Sequence, residues 1–281
     1  MEPVPDSALP APVLNWPLAS LAQTQGFPVE AVGEVDSTNT ELMRRVRTGR
    51  LSQPVLLVAE RQSAGRGRLG RVWQTGVADE PGSALAFSLA LPLHLQNWSG
   101  LSLAVGLAVA ESLHPAIRIK WPNDLWLWDG RQGRKLCGIL IETAEPPGVD
   151  DAHGRIVVIG VGINIAPLAG DGFATPPAAL RELRPDLDAP GALALIVPPL
   201  IEAVRAFERD GFAPLVARYA VRDALMGRWV RCLDGAESQP LEGQSLGVGR
   251  SGALRLRVPP GGTVREITSG QVSVQPVERD R

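Results

Sequence analysis

Arg66, Arg68 and Arg71 alternate with Gly65, Gly67 and Gly70 in the stretch GRGRLGR. Guanidinium groups at this spacing, on a backbone whose glycines let a ligand come close, make a cradle for an anion. Crowding them is costly, because two like charges about 4 Å apart repel by roughly 4 kcal/mol at an effective dielectric near 20. The loop is therefore expected to be mobile when empty and to order over a bound anion. Four further stretches put polar residues beside apolar runs: STN at 37–39, KWPND at 120–124, KLCGIL at 135–140 and GVGIN at 160–164.

Gly65-x-Gly67-x-x-Gly70 also satisfies the literal dinucleotide fingerprint, in which the third glycine opens a helix whose amino end faces the pyrophosphate. The elements around the loop argue against that use. PVLLVAE (54–60) reads as a strand entering it and SALAFSLAL (83–91) as a strand leaving it. The residues after Gly70 carry no helical period, and no acid stands about twenty places on to hold a ribose.

The other elements follow from capping and periodicity. DSTNTELMRRVRTGR starts with capping residues, has Glu41 three places after Thr38, and ends at Gly49 beside basic residues, so it predicts a helix over 38–48. NWSGLSLAVGLAVAESLH (97–114) reads as a buried helix. AIRIKWPNDLWLWDGRQGRKLCGILIETAE reads as strands around turns, with Asp129-Gly130 and Gln132-Gly133 at one tip. RIVVIGVGINIA (155–166) is a strand with internal glycines. GALALIVPPLIEAVRAFERDG is a helical pattern interrupted at Pro198-Pro199, and FAPLVARYAVRDAL is a second one. From about 227, five short glycine-split strands suggest a small barrel. The proline- and alanine-rich start reads as an irregular tail.

The expected fold class is α+β: a mostly antiparallel mixed sheet flanked by helices, followed by a small SH3-like β-barrel. The boundaries are a short amino-terminal segment 1–33, a catalytic domain 34–225 and a carboxy-terminal domain 226–281. The 281 residues are 44% hydrophobic and 21% charged, a composition typical of soluble globular chains. A net charge of −2 gives no overall pull toward nucleic acid or membrane. No apolar stretch reaches membrane-spanning length. Cys137 and Cys232 form no disulfide framework or metal knuckle, and His94, His114 and His153 have no ligand spacing. The amino terminus lacks a basic segment followed by an apolar one, which points to the cytoplasm.

Taken with ERQSAGRGRLGRVW, the four polar stretches resemble the biotin protein ligase family in order and spacing, from about residue 34 to about 166. The resemblance implies a fold similar to class II aminoacyl-tRNA synthetases and a two-step reaction: biotin and ATP give biotinyl-5′-AMP, then a lysine of a biotin carboxyl carrier protein takes the biotin. Ser37, Thr38 and Asn39 match the motif lining the biotin pocket, and Gln62 the glutamine that reads the ureido ring, for which an amide offers both donor and acceptor. For Ser37 and Thr38 a plain helix cap is the competing role.

Arg66 and Arg68 would gather the biotin carboxylate and the α-phosphate, Arg71 would face the adenylate, and Trp73 would stack on adenine. Lys135 would follow charge from carboxylate to phosphate. Asn123 and Asn164 match positions near adenine, and Asp124 an acid near the reacting centre. Lys120 is assigned a structural role beside them. Gly65 and Gly67 belong to the loop. Gly138, Gly160 and Gly162 sit inside strands, where glycine allows close approach either by the acyl-adenylate or by a packed helix. Mg²⁺ would be held mainly through phosphates.

No amino-terminal helix-turn-helix pattern precedes EVDSTN, so specific DNA binding is not expected, nor is membrane association. A homodimer is left open. Lipoate–protein ligase is the competing enzyme reading, which RQSAGRGR disfavours. A nucleic-acid-binding module fails on charge balance, and a biotin sensor without activity on the retention of Lys135 and Asp124.

Overall fold

In the computed structural model of the chain, the described residues run from 9 to 277, apart from 52, 74–79, 96, 129–131, 148–154, 169–172, 235–238 and 269–271. The expected turn residues Asp129 and Gly130 thus lie outside the described residues.

Strand β2 (Val55–Gln62) shows how the centre is built, because it is buried on both faces from Val55 to Glu60. Val55, Leu57 and Ala59 pack with Leu42, Met43 and Val46 of α2 (Thr38–Arg47), whereas Leu56 and Val58 join a larger core with Phe87, Leu89 and Leu103. The split follows from the two-residue period of a strand, which sends successive side chains to opposite faces. Helices cover both sides as a result. On the larger side α3 (Leu101–Leu113) packs against α4 (Ala189–Asp210).

Around β2, the sheet has the order β1-β2-β3-β7-β6-β5-β4. Its other strands are β1 (Val29–Val35), β3 (Ala84–Leu93), β4 (Arg118–Lys120), β5 (Asp124–Trp128), β6 (Gly133–Ala144) and β7 (Arg155–Asn164). β1 and β2 pair in parallel with α2 as their crossover, and the remaining neighbours pair antiparallel. This is the mixed, mostly antiparallel sheet the sequence predicts.

A short helix, α5 (Val216–Arg222), leads to a second sheet. Its strands are β8 (Trp229–Asp234), β9 (Leu241–Val248), β10 (Leu254–Val258), β11 (Thr263–Ile267) and β12 (Val272–Pro276), in the antiparallel order β11-β10-β9-β8-β12. The sequence predicts a barrel here. Among the described residues the sheet is open, with no pair joining β11 to β12, and β11 is exposed from Thr263 to Glu266, so it offers no apolar face to close around.

Two other expectations are corrected. The start of the chain is not an irregular tail: it contains α1 (Leu18–Gln25), a buried Trp16 and the first residues of β1. It is tied down by Glu60, whose carboxylate accepts from Val13 N at 2.9 Å, Leu14 N at 2.6 Å and Trp16 Nε1 at 3.2 Å. Pro198-Pro199 do not interrupt α4, which runs through both. The lost backbone bonds fall near Leu195, which is exposed, while Ile196, Val197, Leu200, Ile201 and Val204 keep the helix on the core.

Candidate active site

The crossover from β1 into α2 starts the site. Ser37 caps α2, its hydroxyl accepting from Thr40 N at 3.5 Å, so the capping role is present. Thr38 and Asn39 point inward and are buried. Gln62, at the end of β2, accepts through Oε1 from Thr38 N at 2.9 Å and Thr38 Oγ1 at 3.2 Å. Ser88 Oγ of β3 lies 2.7 Å from Thr38 Oγ1 and donates to Asn39 Oδ1 at 2.6 Å. Asn39 Nδ2 then donates to Glu142 Oε2 at 3.1 Å. This half of the site is a neutral, largely buried hydrogen-bond network ending on one carboxylate.

Gly160 belongs to this half for a packing reason. A Cβ there would stand 2.2 Å from Asn39 Oδ1, so α2, rather than a ligand, demands the glycine. Of the two readings the sequence leaves open, helix packing applies at this position.

The arginine loop folds back on itself. Trp73 N donates to Gly65 O at 2.8 Å and Gly67 N to Arg71 O at 2.7 Å, and Arg66 bridges Val72. A Cβ on Gly65 would lie 2.3 Å from Trp73 O, so the returning chain needs a glycine there. The tip is a single 3-10 turn, Arg68–Gly70, and among the described residues no helix follows it before β3, in contrast to the dinucleotide geometry, where the third glycine opens a helix. The charge crowding is met by acceptors: Arg66 Nη2 lies 3.2 Å from Glu142 Oε1, and Arg68 Nη1 donates to Asn123 Oδ1 at 3.1 Å. Burial holds the Arg68 guanidinium below its ordinary pKa, with Asp124 opposing and Arg71 reinforcing that shift.

Trp73 closes the loop over the sheet. Gly138 and Gly162 are register partners on β6 and β7. Cβ atoms on them would stand 3.1 and 2.5 Å from the Trp73 indole, so the two glycines form a floor on which the ring lies. Lys135 Nζ sits 5.5 Å from the centre of that ring.

Lys135 and Asp124 meet at 2.7 Å, and Lys120 Nζ reaches the other oxygen of Asp124 at 3.8 Å. β5 pairs with both neighbouring strands at Asp124, placing it opposite Lys120 and Gly138. Burial lowers the pKa of Lys120. Asp124 opposes the shift, and Lys135, Arg71 and Arg68 add to it. Asn164 spends Nδ2 on Lys135 O at 3.2 Å and Ala178 O at 3.0 Å, fixing the backbone that carries Lys135. Asn123 spends Nδ2 on Ile139 O at 2.8 Å, so it serves as the holder of Arg68.

Apart from Gly65 at the loop base, every residue selected from the sequence lines one cleft of about 1540 Å³. Small-molecule sites usually measure roughly 300–1,000 Å³, so this one has room for two substrates. Its outer wall is aromatic: Trp126 and Trp128 stack with centroids 6.3 Å apart, and Arg228 covers Trp128 at 3.7 Å.

Comparison with known proteins agrees with this geometry. Residues 32–164 match the biotin/lipoate A/B protein ligase family. Over 271 residues the chain is 34% identical to the bifunctional ligase/repressor BirA of Escherichia coli, covering 92% of this chain and 78% of that protein. The chain belongs to the biotin protein ligase family. It is also 35% identical over 246 residues to the biotin–acetyl-CoA-carboxylase ligase of Paracoccus denitrificans, covering 82% of this chain and 94% of that one. Among solved structures it is similar to biotin protein ligase from Aquifex aeolicus in complex with biotin and ATP, with a TM-score of 0.73 and 26% identity over 89% of this chain and 99% of the other.

Sequence reasoning missed two residues of this ligase site. Ser88 gives no signal inside an apolar strand. Glu142 gives one, an acid on the same strand face as Gly138 and Leu140. Lys120, given a structural role from its motif, is a buried cation in direct reach of Asp124.

Proposed function

We propose that the cleft joins biotin to ATP as biotinyl-5′-AMP and passes the biotinyl group to a lysine of a biotin carboxyl carrier protein. The observation that supports this best is the convergence, in one cleft, of a neutral amide-lined pocket, an arginine loop and the Lys135–Asp124 pair. Gln62, Thr38 and Asn39 read the ring. Arg66 and Arg68 hold the biotin carboxylate and the α-phosphate, two anions that otherwise repel.

In the first step a carboxylate oxygen bonds to the α-phosphorus, the bond from that phosphorus to the β-phosphate oxygen breaks, and pyrophosphate leaves. Lys135 neutralises charge as it moves from carboxylate to phosphate. In the second step the carrier amine bonds to the acyl carbon, the bond to the phosphate oxygen breaks, AMP leaves, and Asp124 accepts the amine proton. Trp73 stacks on adenine, with Asn164 and Arg71 facing the same ligand. Mg²⁺ would be held mainly through the phosphates of ATP, where it would screen the departing pyrophosphate.

The second sheet completes the outer wall through Val274 and Gln275. The reading places the enzyme in the cytoplasm, acting on carrier protein. Exchange of labelled pyrophosphate into ATP tests it. Exchange with biotin and none with lipoate is the expected result. Exchange with lipoate alone would move the assignment to the other branch of the family, and none with either would remove the adenylation step.

A further inference from the structure

Glu142 has no part in the chemistry above, yet it touches both halves of the cleft. Its Oε2 accepts from Asn39 Nδ2 at 3.1 Å, and its Oε1 lies 3.2 Å from Arg66 Nη2. Behind Asn39 the network continues through Ser88 and Thr38 to Gln62. Asn39, Ser88 and Thr38 are 3%, 0% and 3% exposed, so this chain is fixed by packing. With Asn39 Oδ1 accepting from Ser88 Oγ in the space that the missing side chain of Gly160 leaves, the amide nitrogen faces Glu142.

Arg66 differs from these partners: its side chain is 49% exposed, while that of Glu142 is 21% exposed. The guanidinium can therefore swing, and the carboxylate cannot follow it. Moving Arg66 from the Glu142 carboxylate to the carboxylate of a bound ligand replaces one ion pair by a chemically equivalent one. From this we infer that Glu142 is a positioning residue that couples the ring pocket to the arginine loop. It docks Arg66 beside the pocket while the cleft is empty, holds the loop closed over the sheet, and passes the guanidinium to the anion of the arriving substrate. The inference rests on the assignment of the ring pocket to biotin.

The test compares wild type with Glu142→Gln, which keeps the shape and removes the charge, and with Ser88→Ala, which cuts the network upstream of Asn39. Three quantities are read: tryptic cleavage after Arg66, Arg68 and Arg71 in ligand-free protein, the biotin dissociation constant, and kcat of pyrophosphate exchange with both substrates saturating. Loss of a charge-assisted bond made only in the empty cleft predicts a fall of about tenfold in the biotin constant for Glu142→Gln, loop cleavage roughly fivefold faster or more, and kcat within about threefold. Ser88→Ala is expected to weaken biotin by about tenfold and to leave ligand-free cleavage at the wild-type rate. Wild-type cleavage in Glu142→Gln would overturn the inference, as would a fall in kcat at unchanged biotin affinity. Because cleavage is measured without ligand, a protein that fails to bind biotin would discredit the pocket assignment while leaving the loop comparison readable.

Discussion

The two halves of the cleft solve recognition in opposite ways. In the pocket behind α2, Thr38, Asn39, Ser88 and Gln62 satisfy one another, and none of them carries a charge. Around the loop, Arg66, Arg68, Arg71, Lys120 and Lys135 meet two carboxylates, Glu142 and Asp124. The first half is complete before a ligand arrives, as buried polar groups must be. Among these described residues the second half holds more cations than carboxylates, a pattern that suits an anionic substrate. Shape and hydrogen bonds can therefore be preformed, whereas the charge pattern suits a reacting complex better than the empty protein.

If the halves are separable, substitutions in them should move different constants. Lys135→Ala is expected to have the largest effect, lowering kcat of exchange by about 10²–10³-fold, the size found when a donor to developing charge is removed. Its biotin dissociation constant should change less than about threefold. Equal loss in both constants would break the comparison, because the lysine would then serve ground-state binding. Asn39→Ala comes next. It removes the amide that joins Ser88 to Glu142, leaving Ser88 paired with Thr38 alone and Glu142 Oε2 without its amide donor, which predicts biotin binding weaker by roughly 10–100-fold with kcat at saturation little changed. A titration of biotin against exchange rate separates the two constants for each variant.

The charged half was the legible one in the sequence. Arginine alternating with glycine announces itself locally, and Lys135 and Asp124 stand in short motifs beside strand ends. The neutral half was legible only in part, because its bonds join residues far apart in the chain: Ser88 with Thr38 and Asn39 are 50 and 49 positions apart, and Asn39 with Glu142 are 103 apart. No local pattern marks a serine in an apolar strand as a hydrogen-bond relay. Gly160 was visible as a glycine, but the oxygen that excludes a side chain there belongs to α2. The same limit applies to the fold. Pro198-Pro199 look like a break because propensity is local, while the buried stripe that keeps α4 whole is a tertiary effect. Trp16 and the clamp by Glu60 were hidden for the same reason: proline-rich sequence states what a segment avoids, and the carboxylate that orders it lies 44 residues on.

A smaller prediction concerns the cost of the charged half to the fold. Burial lowers the pKa of Lys120 below the ordinary 10.5. The folded chain therefore holds fewer protons at this site than the unfolded chain as pH approaches 10.5 from below, so this residue's contribution to stability rises with pH. Put the other way, charged Lys120 weakens the fold at neutral pH, and that penalty disappears once both states are deprotonated. Lys120→Met keeps the volume and leaves Asp124 paired with Lys135, so it should stabilise the protein by about 1 kcal/mol at pH 7, a Tm rise of roughly 2–4 °C. The gain should shrink toward zero as the pH rises to 10.5. Asp223, which burial raises to about 6, titrates on the acid side and does not enter this window. Paired thermal melts of the two proteins across the range measure the difference directly. A constant gain would mean that the methionine merely packs better. A loss would mean that the Asp124 and Trp126 contacts of Lys120 outweigh its desolvation, and that the charged half stabilises the empty fold as the neutral half does.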